Sequence, residues 1–384
     1  VLVLVLVLVV LCAAAPPKKR KKTFKGPTSG GSSSAAAEKV LPQEQVTYRA
    51  ILQENSAVMA KEMPPRRFTG DTLGYVTPWG AAGYEEAKRF AAKFTYVAPV
   101  WYQVDHGLEA GSTLRGGHDV DQGWIQAVRK ENGAVKLAPR FLWDQWTGGH
   151  YSRFLSSEGL MRAVAQEIAA EVRSQGYDGA VLDFGYLNTR AARKQFKFLI
   201  ATIYDALQVV GGELILVVPP YVEGEGEQLF GADEFESLKS VVDRFQIMSY
   251  DYVAPDGRPA ANAPLSWMMQ TVFNILPPAE RKPENARKLM LGMNFYGKDY
   301  SFGGTNTILG SDYLQILEKH KPDIEWLEEE AEHKIVYHKA GSEHILYYPS
   351  LLSVQRRIEL AQQLGVGLAI WELSQGLPYF LALY

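Results

Sequence analysis

The stretch YDGAVLDFGYL, residues 177–187, decides the fold. Its apolar core shows no polar alternation, which is the pattern of a strand covered on both faces and paired in parallel with its neighbours. Ahead of it runs GLMRAVAQEIAAEVRS, Gly159 to Ser174, and behind it the segment from Ala191 to Val209, both with apolar residues at helical spacing. A buried strand between two amphipathic helices is one unit of an α/β fold.

Working outward, the same alternation recurs along the chain. Apolar runs appear at TLGYVTPW (72–79), KFTYVAPVWYQV (93–104), AVKLAPRFLW (134–143), LILVVPP (214–220), RFQIMSYDY (244–252), KLMLGMNFYG (288–297) and GVGLAIWEL (365–373). With GAVLDFGYL they make eight candidate strands. Eight such units predict a closed (β/α)8 TIM barrel. An open doubly wound sheet is the alternative, but the glycine-rich dinucleotide turn it would carry after an early strand does not occur. A length of 384 residues accommodates one such domain. The rhythm breaks once, at 308–350, where alternating residues around Lys-Ala-Gly-Ser predict a small β-hairpin or α+β insertion between strand 7 and helix 7. Leu351 to Leu364 then reads as a helix with Gly365 as its C-cap.

Residues 1–15, an apolar run ending in small residues, read as a signal peptide. Residues 16–65 read as a flexible linker and N-terminal extension, with a short helix around Val46 to Lys61, and the barrel is expected over 66–384. These features predict a secreted or lysosomal protein with no stable membrane insertion. The single cysteine, Cys12, lies in the leader, so stability must come from the apolar core. A net charge of -3 gives no reason to expect a nucleic-acid partner. The seven histidines are scattered, and neither a His-Glu-x-x-His segment nor a phosphate loop occurs, so no metal and no cofactor are expected.

In a parallel barrel the chemistry sits where the strands end. Those ends hold Tyr75 and Trp79, Trp101, Trp143 and Trp146, Asp183, Met248 with Tyr250 and Asp251, Tyr296, and Trp371. Aromatic faces with a few polar groups suit an oligosaccharide cleft. Buried strands also favour aromatics for packing alone, so any one of these residues has an even chance of being core. Their gathering at strand ends favours a site; Trp124, which enters a helix, reads as structural.

The segment at 177–187 resembles the fourth-strand signature of family 18 glycoside hydrolases, Asp-Gly-x-Asp-x-Asp-x-Glu, through Asp178, Gly179 and Asp183. GYVTPW, IMSYDY, LGMNFYG and Trp371 extend the resemblance over about 68–384. It implies a sugar's own N-acetyl group as nucleophile and a glutamate as general acid. This chain departs from that pattern: Gly185 stands at the glutamate position and Val181 at the middle aspartate, leaving a vestigial motif with no catalytic residue assigned. The third-strand Ser-x-Gly-Gly pattern is missing around Pro139 to Leu142, and Lys298 replaces an arginine. The resemblance therefore implies a chitinase-like lectin for chitooligosaccharides or related amino-sugar glycans, with a role in innate immune sensing. Tyr75, Trp79, Trp101, Trp143, Asp183, Met248, Tyr250, Asp251, Tyr296 and Trp371 would be its sugar contacts. The alternatives are a weakly active glycosidase with a displaced acid, and a scaffold with a scavenger-receptor sorting partner.

Overall fold

The structure is a computed structural model that describes residues 42–58, 64–107, 113–185, 192–224 and 228–384. The signal peptide read at 1–15, the linker as far as residue 41, and Tyr186 and Leu187 of the signature lie outside the described residues. The strands, in chain order, are β1 Thr72–Val76, β2 Tyr96–Pro99, β3 Tyr102–Val104, β4 Leu114–Arg115, β5 Lys136–Leu137, β6 Arg140–Leu142, β7 Gly179–Asp183 and β8 Glu213–Val218. They continue with β9 Arg244–Ile247, β10 Leu289–Asn294, β11 Gly297–Ser301, β12 Gly304–Ile308, β13 Ile324–Leu327, β14 Glu332–Lys339, β15 Ser342–Tyr348 and β16 Gly367–Trp371.

One sheet runs β4-β3-β6-β7-β8-β9-β10-β16-β1-β2-β5. Because β2 leads into β3 and β5 into β6, its two ends belong to the same pair of strands, and the sheet closes on itself. The second barrel strand is β2 with β3, the third is β5 with β6, and eight parallel strands result, as the sequence predicts.

That second strand carries an irregularity. Val97 pairs with Leu137 below and Tyr102 with Phe141 above. Four residues separate the first pair from the second on one strand and three on the other. The extra residue is a bulge, and a bulge resets which face each later side chain points to. Tyr96, Ala98 and Val100 face the barrel interior with Leu73, Tyr75, Val181, Ile215 and Met290, whereas Trp101, Tyr102 and Val104 join the layer under the helices.

Glycine at 179 has a steric cause: a Cβ there would lie 2.3 Å from the Glu213 carbonyl oxygen on β8. The helix before β7 spans Glu158–Gln175, capped by Ser157 and by Gly176 at φ +68°, and buries Met161, Val164, Ile168 and Val172 against the barrel. Each such aliphatic contributes about 1.5–3 kcal/mol. The helix Leu351–Leu364 ends on Gly365 at φ +69°, the C-cap read from sequence. The helix expected near Val46 spans Tyr48–Val58.

The insertion is larger than the hairpin expected at 308–350 and starts earlier, at Gly297. It is a five-stranded antiparallel sheet, β12-β11-β15-β14-β13, with the helix Gly310–His320. Its first strand was hidden because it follows β10 after only two residues, so KLMLGMNFYG read as one run. Arg357 joins it to the barrel, bonding the Glu332 carboxylate at 2.9 Å and the carbonyls of Ala331, Ser353 and Ala263 at 2.8, 2.9 and 2.6 Å.

Candidate functional site

The C-terminal mouth of the barrel gathers most of the residues expected there. Tyr75, on β1, is buried among the interior side chains, and its hydroxyl donates to Gln246 Oε1 at 3.1 Å. Its ring lies 5.2 Å from that of Trp371, which ends β16. Asp183 ends β7 with Oδ1 accepting the Gly185 N–H at 2.9 Å and Oδ2 facing Arg140 Nη1 at 3.1 Å. Met248 is half-buried beside the interior cluster. Tyr250 and Tyr296 are buried with ring centroids 6.3 Å apart. Asp251 sits above them, its Oδ1 receiving the Tyr296 hydroxyl and Lys298 Nζ, each at 2.7 Å. Burial, followed by the Asp251 and Asp183 carboxylates, lifts the Tyr250 phenol above the usual tyrosine range. Burial, with Tyr250 and Asp183 beside it, does the same to Tyr75. Both phenols therefore stay neutral and offer hydrogen bonds without charge.

Trp101, Trp143, Trp146 and the signature's Asp178 lie elsewhere, and Trp79 only at the rim. Trp101 is fully buried under the helices, donating Nε1–H to the Tyr84 hydroxyl at 2.6 Å; the alternation that puts Ala98 and Val100 inside the barrel turns it outward. Trp143 points outward too and stacks on Phe184 at 4.0 Å. Together they line one wall of a side cavity of about 760 Å³ that reaches Gly185. Asp178 belongs to the opposite end of the barrel, accepting the Leu137 N–H at 2.8 Å and pairing with Arg129 at 2.9 Å. Trp79 lies in the loop beyond β1 and is 71 % exposed, so it reaches the mouth as a rim residue. Trp146 donates to the Val104 carbonyl at 2.7 Å and braces the loop after β6.

Gly185 occupies the left-handed region at φ +58°, and no atom of the described residues lies within 4 Å of where a Cβ would go. Val181 is buried in the interior cluster. Glu372, next to Trp371, is buried away from the mouth against Ser374, whose N–H it accepts at 3.1 Å. The residue that sequence reasoning missed is Arg140. It is the cross-strand partner of Val181, and its guanidinium lies over the Trp371 ring, 5.0 Å from the centroid. The signal was present: an arginine inside the apolar run AVKLAPRFLW has no place in a buried strand unless paired.

With this geometry in hand, the comparison with known proteins is direct. The sequence model of glycosyl hydrolases family 18 matches residues 71–376. The chain belongs to glycosyl hydrolase family 18. Solved family 18 structures superpose on it: a chitinase from Chromobacterium violaceum with TM-score 0.65 at 20% identity, covering 82% of this chain and 98% of that one. The Bacillus cereus spore cortex-lytic enzyme SleL gives 0.69 at 16%, covering 82% and 73%. A Cycas revoluta family 18 chitinase in complex with (GlcNAc)3 gives 0.66 at 15%, covering 82% and 98%. At these identities the likeness establishes the fold. In sequence, a cortical fragment-lytic enzyme of Bacillus anthracis is 23% identical over 174 residues, and the match spans 42% of this chain and 38% of that enzyme. On the family 18 barrel, then, this chain has aromatic and hydrogen-bonding groups at the mouth.

Proposed function

We propose that this barrel binds amino-sugar oligosaccharides of the chitooligosaccharide type and does not hydrolyse them. The observation that carries the reading is the end of β7. Gly185 stands where the signature has its acid, and its backbone adopts a conformation that side-chain-bearing residues avoid. The carboxylates of Asp183 and Asp251 are each engaged by a cation, Asp183 by Arg140 and Asp251 by Lys298, so neither presents a free carboxyl to a leaving group. Lack of a general acid alone removes ~10²- to 10⁴-fold in rate. The (GlcNAc)3 complex of the Cycas revoluta relative supports the ligand class. Secretion or lysosomal delivery, a part in innate immune sensing and a scavenger-receptor sorting partner belong to the same proposal; secretion of the full-length chain from cultured cells tests the first.

Calorimetry with chitotetraose, run beside a fluorogenic chitobioside assay with an active chitinase as reference, tests the central reading. Binding without turnover is the expected result. Turnover abolished by Asp183→Ala or Asp251→Ala would establish a glycosidase with a displaced acid instead.

A further inference from the structure

Arg140 stands at the floor of the mouth, one strand from Val181, with its side chain 12% exposed. A guanidinium carries five N–H donors. Within the described residues one hydrogen bond is formed, Nη1 to Asp183, and Nε is buried with no partner. Nη2 likewise forms no hydrogen bond among the described residues and, unlike Nε, is not enclosed, so it is the donor that can meet an acceptor from outside. The guanidinium lies 5.0 Å from the centroid of the Trp371 ring, so a sugar that reaches the indole also reaches the cation. Where the family signature has a middle aspartate, this chain has an apolar valine with an arginine beside it, so the electrostatic sense of the subsite is inverted.

We infer that Arg140 is the specificity-determining residue of the cleft: it admits a sugar bearing an acceptor oxygen, an acetamido carbonyl or a carboxylate, and rejects one bearing an ammonium. The inference rests on the oligosaccharide-binding reading and adds to it the chemistry of the substituent. Asp183 balances the charge of Arg140 but occupies only one donor, so a neutral carbonyl is accepted without repulsion and a free amine faces an unshielded guanidinium edge. Lys298 and Asp251, paired 2.7 Å apart, add no net charge above it.

Calorimetry with three probes decides it: chitotetraose, its fully de-N-acetylated counterpart at a pH where the amines are protonated, and an oligogalacturonate of the same length. The wild-type chain is expected to prefer chitotetraose to the amine by at least about tenfold, the size of one charge-assisted hydrogen bond. Oligogalacturonate binding distinguishes carboxylate from carbonyl as the preferred acceptor. Arg140→Leu is expected to bring the ratio to parity or reverse it, since Asp183 then faces the amine alone. Arg140→Lys, which keeps the charge and loses the fork, is expected to keep rejecting the amine, and it serves if the leucine variant does not fold. An unchanged ratio in folded Arg140→Leu, or loss of amine rejection in Arg140→Lys, would overturn the assignment. If the wild-type chain bound none of the three, the oligosaccharide reading itself would fail, a distinct result.

Discussion

Among the described residues, the pairs Arg357–Glu332 and Arg140–Asp183 are both largely withdrawn from solvent, and they are built differently. Arg357 and Glu332, where the insertion meets the barrel, form a closed network: the arginine bonds the carboxylate and three carbonyls, and Glu332 also accepts the Ser353 hydroxyl at 2.9 Å. Arg140 and Asp183, at the barrel mouth, share one hydrogen bond, and Arg140 Nε has no partner. A buried charge costs several kcal/mol unless its hydrogen bonds are completed. The saturated pair completes them internally, as a structural joint must; the unsaturated one keeps donors in reserve, which a structural joint has no use for.

The comparison breaks or sharpens under substitution. Arg357→Leu strips the cation from a buried carboxylate and is expected to cost about 3–5 kcal/mol, read as a lower urea midpoint. Arg140→Leu is expected to cost about 1–2 kcal/mol in the same assay, because one hydrogen bond is lost and Asp183 keeps the Gly185 N–H. Equal losses at the two sites would abolish the distinction. Gly185→Glu introduces a side chain at φ +58° at a cost of about 1 kcal/mol. It is expected to leave a chitobioside uncleaved, since Val181 and Arg140 still face the subsite.

A pH effect concerns a third carboxylate. Among the described residues the buried Oε2 of Glu86 has no hydrogen-bond partner, and burial pushes its carboxyl up from 4.5 to about 7. The folded chain then binds that proton more tightly than the unfolded chain. Stability is expected to fall as pH rises from about 4.5 to about 7 and to level off above. Glu86→Gln should flatten that slope in thermal melts across the range; a slope unchanged by the substitution would place its origin elsewhere.

Much of this architecture was legible in the chain. Eight apolar runs, each followed by a helix or a loop, are a pattern that few folds produce, and Tyr75, Asp183, Tyr250, Asp251, Tyr296 and Trp371 do meet at the mouth. What the pattern lacked was a sense of inside and outside. Strands covered on both faces show no polar alternation, so nothing in KFTYVAPVWYQV marks Trp101 as facing the helices. Trp143 was misplaced for the same reason. Arg140 is visible as a charge in the apolar run AVKLAPRFLW, but its partner Asp183 lies 43 residues away on another strand, so the sequence does not pair them. The start of the insertion escaped because β10 and β11 are separated by only two residues and the short polar β11, Gly297–Ser301, reads as the loop that ends an apolar run.

The bulge in the second strand has a consequence for how such a cleft could be remodelled. One residue fewer between Val97 and Val100 would remove the bulge, and the side chains from there to Trp101 would turn over while Tyr102 keeps its partner Phe141 on the third strand. The indole of Trp101 would enter the mouth and Val100 would move under the helices, with no amino acid exchanged for another. A single-codon deletion would thus rewrite the lining of the site more deeply than most substitutions, so chain length is as much a variable of recognition here as residue identity.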